Sequence, residues 1–529
     1  MKKHIDCNFQ RTIVLVLGLL FFLPTQVFSQ IALERHSNEV YHYLARMAQK
    51  GIISFDDIIL PLSKNKIKNE LDSVQSKSAL LTEVEKSELL FYSKEFSENK
   101  FEKKLTFQRG SFSLSLNPLV TINRFNRKGK SFMQTSGGVQ FYGNASSKIG
   151  FQFSFLDYTE KGQGIQFVRN RLIDGSSAGI ISYDTFNRKR INYAEIRTSI
   201  SYQFKKGQLS IGQDYLNFGY GENGRIVLGD KAPTYPFIRW DYQLLKGIKF
   251  NFIHSWLQSG LVDSSRSYTI PGGGFGGIRE VDISKYMAIH SLDFTIKKGL
   301  VFTLGESMIY NDKLNVGYFI PIMFFKAFDN YSNRGSIVKG SNGQFFLQLN
   351  ARNQLPKTHF YASLLVDEIK ISKILDKKAA RNQLGYTVGG SITDLGVSYL
   401  TAGAEYTRIR PFVYSNFLPA QNYSSSGYSI GDWMGNNSDR IILFLKYTPI
   451  PKLKLLARYQ QIRKGGLGTI DQQYNQQPQP DFLFDFQTTQ KDIFLQAKYE
   501  WLHRFCFNVT YNRYSKSATF SSAGFTFGL

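Results

Sequence analysis

The feature that most constrains this chain is a two-residue rhythm that starts near Ser111 and runs to the C-terminus. In "KIGFQFSF", Ile149, Phe151, Phe153 and Phe155 alternate with Gly150, Gln152 and Ser154, and in "GIKFNFIHSW", Ile248, Phe250 and Phe252 alternate with Lys249 and Asn251. "DIFLQAKYEW" sets Ile493, Leu495, Ala497, Tyr499 and Trp501 against Gln496, Lys498 and Glu500; "RFCFNVTYNR" sets Phe505, Phe507, Val509 and Tyr511 against Asn508, Thr510 and Asn512. Successive side chains of a strand point to opposite faces, so each stretch has one bulky apolar face and one amide-rich or charged face.

Soluble sandwiches alternate in the same way, so the period alone does not choose between water and lipid as the outer solvent. Three other features choose lipid. The repeating units run about ten to thirteen residues, the length of a tilted bilayer-crossing strand and roughly twice a globular one. Aromatics make up 15% of the chain and gather near strand ends, as at Tyr202, Phe204, Tyr499 and Trp501, where interfacial girdles form. Connections alternate between tight and long: Lys205 to Gly207, Leu245 to Gly247, Lys297 to Gly299 and Pro449 to Lys452 are short, and the segments between these hairpins are long. These features predict an all-β transmembrane barrel of about 18 antiparallel strands, with short periplasmic turns and long outer loops. A barrel of that size encloses more space than wall side chains fill, so its lumen is either a channel or plugged.

The N-terminus reads differently. Lys2, Lys3 and Arg11 precede an apolar run from Thr12 to Leu23, and "VFSQ" offers a cleavage point after Ser29; this is a secretory signal, too short to span. The expected division is 1–29 signal peptide, 30–100 helical periplasmic plug or lid, and 101–529 barrel. In "EVYHYLARMAQKGII", Val40, Tyr43, Leu44, Met47 and Ala48 share a helical face and Gly51 ends it. Ser63 is the expected N-cap of a second helix, and Thr82 with Glu85 has capping-box spacing for a third. Three short helices make too small a core to stand alone, so they must lie against something.

The formal charge is +24, and removal of a signal carrying Lys2, Lys3, Arg11 and Asp6 leaves +22. An exported protein rarely meets nucleic acid, so anionic polysaccharide or lipopolysaccharide headgroups are the expected counter-charge; plain solvated lysines account for it equally well. Cys506 alone remains once Cys7 leaves with the signal, which excludes a disulfide framework and a thiolate cluster. The seven His show no H-x-x-x-H or H-E-x-x-H spacing, so neither metal nor cofactor is expected. His254 with Ser255, and His290 with Ser291, are strand neighbours that point to opposite faces, which argues against a local nucleophile–base pair and for a non-enzymatic protein.

One loop stands apart. "GYGENGRIVLGDKAPTYPFIRW", residues 219–240, carries Pro233 and Pro236, which fix φ and cannot donate to a ladder. Residues 219–236 are therefore stiff and kept out of the wall, on the outer side or folded into the mouth. Asp230, Lys231, Tyr235, Arg239 and Trp240 then offer charged donors and aromatic faces to a sugar at low entropic cost; a structural constriction of the lumen is the alternative.

"NFGYGENGRIVLGDKAPTYPFIRW" resembles the "W-G-P-G … L-S-D-N-A-P-P-F-P" segment of the Wzi-like capsule assembly family of outer-membrane barrels, at Gly219, Gly221, Leu228, Asp230, Ala232, Pro233, Pro236 and Ile238. "GYSIGDWMGNNSDRIILFLKY" is similar to that family's "G-x-x-L-G-x-x-x-G-x-N-S-D" loop, at Gly427, Ile430, Gly431, Gly435, Asn437, Ser438 and Asp439. "FYASLLVDEI", with Asp367 and Glu368, and "YLARMAQKGII … PLSKNKI" resemble further family segments, in the same order along the chain. Gly229 and Lys231 depart from the family's usual Ser and Asn. The resemblance implies an 18-stranded barrel closed by periplasmic helices, a lectin-like anchor for capsular or other surface polysaccharide. It adds Asn437 and Asp439 to the candidate ligand residues, with Gly219, Gly221, Pro233, Pro236, Gly431 and Gly435 shaping the loops. Envelope export machinery is a further implied partner. The alternatives are a porin or uptake channel for anionic or sugar solutes, and a surface adhesion or gliding accessory.

Overall fold

The computed structural model describes residues 31–96, 105–127, 129–163, 165, 180–182, 190–272, 276–334, 340–368, 382–466, 480–502, 504–514 and 519–528. The signal segment lies outside the described residues.

Eighteen antiparallel strands form one closed barrel, as the rhythm predicts. The last strand, Phe520–Phe527, closes the ring by pairing with the first, Phe112–Arg127, in a register that places Phe520 opposite Arg127 and Phe527 opposite Val120. Several strands reach 15 to 17 residues, Phe486–Leu502 the longest. Closure leaves no unpaired edge, which a hydrocarbon solvent demands. The outer face is apolar and open: Ile441, Leu443 and Leu445 on one strand are 45%, 51% and 46% exposed, while the intervening Ile442 and Arg440 are buried inside. Tyr202, Phe204 and Tyr242 form one aromatic cluster on the outer face beside the periplasmic turns, and Trp501, Phe505, Phe507 and Phe525 another. One expectation needs amending. Strand Phe112–Arg127 passes to Lys130–Asn144 through residues 128–129 alone, so this outer connection is as short as a periplasmic one.

The helices form where their signals fall: α1 Val40–Gln49, α2 Lys64–Gln75 and α3 Glu83–Phe96. Gly51, at φ +78°, terminates α1. The Ser63 hydroxyl accepts from Lys66 N at 3.4 Å, and Thr82 and Glu85 make the reciprocal bonds of a capping box, Thr82 N to Glu85 Oε2 at 3.0 Å and Glu85 N to Thr82 Oγ1 at 3.4 Å. Their apolar faces share a small core that includes Val40, Leu44, Met47, Ile67, Leu71 and Leu89. Ion pairs dock this bundle on the periplasmic floor of the barrel: Asp57 takes both arms of Arg352 at 2.8 Å, Asp56 meets Lys249 at 2.9 Å and Glu39 meets Lys498 at 3.3 Å.

Candidate functional site

The stiff loop does not stop at the mouth. Ile59 and Leu60, between α1 and α2, pair with Phe218 and Asn217, so the loop and the helical segment make a two-stranded sheet inside the barrel. Gly219 N donates to Ile58 O, and the Tyr220 hydroxyl donates to Asp57 at 2.9 Å. From above, the hydroxyls of Tyr414 and Tyr423 donate to Ile226 O and Val227 O, each at 2.7 Å, while Gly229 N donates to Ile430 O at 2.8 Å. Loop 219–234 is thus gripped between periplasmic helices and the segment 410–437, and a continuous apolar cluster from Leu33 and Ile59 through Phe218 and Leu228 to Ile430 and Trp433 fills this part of the lumen. At its centre Arg440, with no exposed surface, bonds Asp432 at 2.8 and 3.1 Å and lies 3.5 Å from Glu405.

The residues singled out in the sequence take separate places. Asp230 and Lys231 lie 3.8 Å apart in the lumen loop, with His36 at 3.3 Å from Asp230, and keep about a fifth of their side-chain surface exposed, 21% and 23%. Burial alone would raise the Asp230 carboxyl; Lys231 and His36 beside it hold it well below the usual carboxylate range. Tyr235 is a core residue whose hydroxyl has no hydrogen-bond partner among the described residues. Arg239 points inward and donates to Pro61 O at 2.7 Å, fastening the helical segment to the wall. Trp240, its strand neighbour, is on the outer face against Tyr242 and Phe250. Asn437 is buried and knits two loops: its Nδ2 donates to Gly466 O at 2.8 Å and its Oδ1 accepts from Leu483 N at 2.8 Å. Asp439 faces outward, held by Tyr406 at 3.0 Å and by Arg463. Gly219, at φ +98°, faces Gln348, whose Oε1 lies 2.4 Å from where a Cβ would stand, and Gly221, Pro233, Gly431 and Gly435 lie in the interlocked loops or at their edges; Pro236, expected outside the wall, instead pairs with Gln213 near the start of wall strand Tyr235–Leu245. Asp367 accepts from Gln344 at 3.0 Å and from Tyr414 N at 2.7 Å, which ties segment 410–437 to the wall.

The plug is off-centre. Inward side chains on one side of the ring are fully covered by it: Gln348 at 2%, Ser363 at 4%, Thr387 at 1% and Glu405 at 3% exposure. On the other side, along strands Phe112–Arg127, Lys130–Asn144, Phe486–Leu502 and Phe505–Tyr514, the inward Asn117, Asn123, Gln134, Gln496, Asn508 and Asn512 are only half-buried. Their amides bond each other and neighbouring hydroxyls: Asn123 to Gln134 at 3.0 Å, Gln134 to Tyr193 at 2.7 Å, Gln496 to Asn508 at 2.9 Å, Asn512 to Tyr514 at 2.8 Å. Towards the outer end Phe125 stacks between Phe132 and Phe520, at 4.8 and 5.4 Å, and Tyr158 stacks on Tyr193 at 4.9 Å. The lower end is closed by Lys498 with Glu39, Arg504 with Glu95, and Lys64 over the Tyr142 ring. This arc of amides and rings was missed in the sequence reading. The signal was present, because the polar partners of the rhythm in this part of the chain are mostly Asn and Gln, but only the position of the plug shows which polar faces stay solvated.

Closed ring, apolar exterior, aromatic clusters and a lumen crossed by folded segments define an outer-membrane β-barrel with periplasmic helices, plugged from within. Among solved structures the chain is similar to Wzi of Escherichia coli, an outer-membrane protein involved in group 1 capsule assembly and a carbohydrate-binding β-barrel, at a TM-score of 0.61 and 12% identity over 94% of this chain and 99% of that one. It also matches OccAB2 of Acinetobacter baumannii (TM-score 0.42, 10% identity, 78% and 97% covered) and OprD of Pseudomonas aeruginosa (0.41, 11%, 78% and 92%). No protein-family model and no curated protein matches the chain.

Proposed function

We propose that this outer-membrane barrel binds and retains surface polysaccharide at its extracellular side, in a non-enzymatic, lectin-like role. The observation that carries the reading is the half-solvated arc of amides and aromatic rings above a closed floor. A planar amide offers a donor and an acceptor to adjacent sugar hydroxyls, and a ring face packs on the apolar side of a pyranose. The fold likeness to a carbohydrate-binding barrel supports the same reading. Asp230 and Lys231 retain enough exposure to take part; Tyr235, Arg239 and Asn437 act as scaffold, and Trp240 and Asp439 face outward. Exposed Arg463, held at the outer rim by buried Asp439, suits lipopolysaccharide headgroups, and the periplasmic faces of α2 and α3 are where export machinery would dock.

The test compares cell-bound with shed polysaccharide in cells carrying the wild-type chain, no chain, or the triple variant Asn123→Ala, Gln134→Ala, Asn512→Ala, with heat-modifiable gel migration as the folding control. The expected result is increased shedding in the last two. Retention unchanged without the protein overturns the proposal. The solvated arc also favours a solute pathway as the second reading, and ohmic conductance of the intact chain in planar bilayers would support that reading instead.

A further inference from the structure

The apolar rule of the outer wall breaks around Glu306 and His290. Strand Leu300–Asn311 sends Thr303 and Ser307 inward, where they donate to Asp293 and Gln344, each at 2.8 Å. Glu306, Met308 and Tyr310 therefore point outward, and so do His290 on the adjoining strand and His254 on the strand beyond it. A carboxylate and two imidazoles on the lipid side are costly unless covered and bonded. Residues 312–334 cover them. This segment folds back down the outside of the barrel as a single turn, Val316–Phe319, and a helix, α4 Phe325–Ser332.

The clasp is specific. Glu306 accepts from Phe325 N at 2.5 Å and Lys326 N at 3.3 Å, so the outward carboxylate caps α4. His290 Nε2 lies 2.9 Å from Glu306 Oε1, and His290 Nδ1 lies 2.8 Å from Pro321 O. A carbonyl only accepts, so His290 Nδ1 donates to Pro321 O. The His290 ring stacks on Phe325 at 4.3 Å and the His254 ring on Phe319 at 4.0 Å. Glu306 is six residues above Leu300 at the periplasmic turn. At roughly 2.5 Å of height per residue of tilted strand, it stands about 15 Å up an apolar band some 25 Å tall.

Two observations say what lies against the outside of this segment. Its solvent-facing residues between 314 and 327 are mainly apolar, Ile322 being 88%, Val316 72% and Phe324 54% exposed, while exposed Asp312, Lys313, Asn330, Ser332 and Arg334 sit at its two ends. Part of its backbone is bonded within the segment, which lowers the cost of contact with hydrocarbon: Tyr318 N donates to Asn315 O, Ile320 N to Gly317 O, Met323 N to Ile320 O and Phe328 N to Phe324 O, and Pro321 has no N–H. Phe324 meets Phe345 on the wall at 6.0 Å, and exposed Leu304 pairs with Leu347 in the adjoining ladder, leaving an apolar crease continuous with the lipid-facing surface.

We propose that residues 314–331 form a saddle embedded in the outer leaflet, whose crease against Leu304, Phe345 and Leu347 takes lipid acyl chains. The test uses the full chain with Cys7→Ala, Cys506→Ala and a single new cysteine, labelled with an environment-sensitive fluorophore, in phosphatidylcholine vesicles with or without brominated acyl chains. Leu443→Cys, on the open wall, and Ile278→Cys, in the exposed hairpin Tyr268–Arg279, calibrate lipid and water. The label on Ile322→Cys is expected to be quenched by brominated lipid as strongly as that on Leu443→Cys and to resist iodide. Iodide quenching like that at Ile278→Cys overturns the proposal. Shielding from both quenchers also overturns it, because protein and not lipid would then cover the saddle.

Discussion

Arg440 illustrates what a single residue contributes to a filled barrel. It has no exposed surface and bridges Asp432 and Glu405. Arg440→Met would leave two carboxylates buried without their cation, a loss of about 3–5 kcal/mol for a broken buried pair. Chemical denaturation in detergent should show that loss, with the double change Arg440→Met, Asp432→Asn recovering part of it. Gly150 illustrates close approach. A Cβ there would stand 2.6 Å from Ala32 N and 2.8 Å from Ile31 C, so the N-terminal segment passes directly over this wall glycine. Gly150→Val is expected to lift residues 31–33 off the wall and expose them to protease, without changing the strand content seen by circular dichroism. At this scale the sequence was informative about caps and turns and poor about partners. Ser63, Thr82 and Glu85 declare their roles through local spacing, because a cap bonds within four residues. The pairing of Arg440 with Glu405 joins groups 35 positions apart and leaves no local trace.

The elements dock by charge. Glu34 is buried against Lys64 at 2.5 Å. Burial alone would raise its carboxyl, yet Lys64 and Arg504 lower it from 4.5 to about 2; Glu39, half-buried beside Lys498, is lowered to about 2 as well. A carboxylate with a depressed folded-state pKa contributes stability above its unfolded value and loses it as pH falls through the folded one. The docking of α1 and α2 should therefore weaken between pH 4.5 and about 2, by up to about 3 kcal/mol for Glu34, while the barrel ladder persists. Hydrogen exchange of α1 amides across that range is the measurement, and Glu34→Gln should flatten the dependence. The helices themselves were legible from their 3.6-residue period and capping signals. Their position under the lumen was not, because a helix face says that it must be covered and not by what.

For the whole molecule, the plug predicts electrical behaviour. The intact chain should show little conductance in planar bilayers, and deletion of residues 219–234, which removes the segment gripped between Tyr220–Asp57 below and Tyr414–Ile226 above, should open an ohmic path. Conductance unchanged by the deletion would mean that other segments close the lumen.

By itself the sequence determined that this chain is a lipid-bathed barrel of about 18 strands with a helical cap, because alternation, strand length and turn spacing are local properties written in consecutive residues. It also marked the stiff loop as exceptional through its prolines and glycines. Only the tertiary structure decided that this loop fills one side of the lumen, that the opposite side keeps a solvated arc of amides and rings, and that His290 and Glu306 clasp a segment against the outer wall. Those outcomes depend on which distant surfaces meet across a closed ring, and a two-residue period assigns each side chain to a face without specifying what will lie against it.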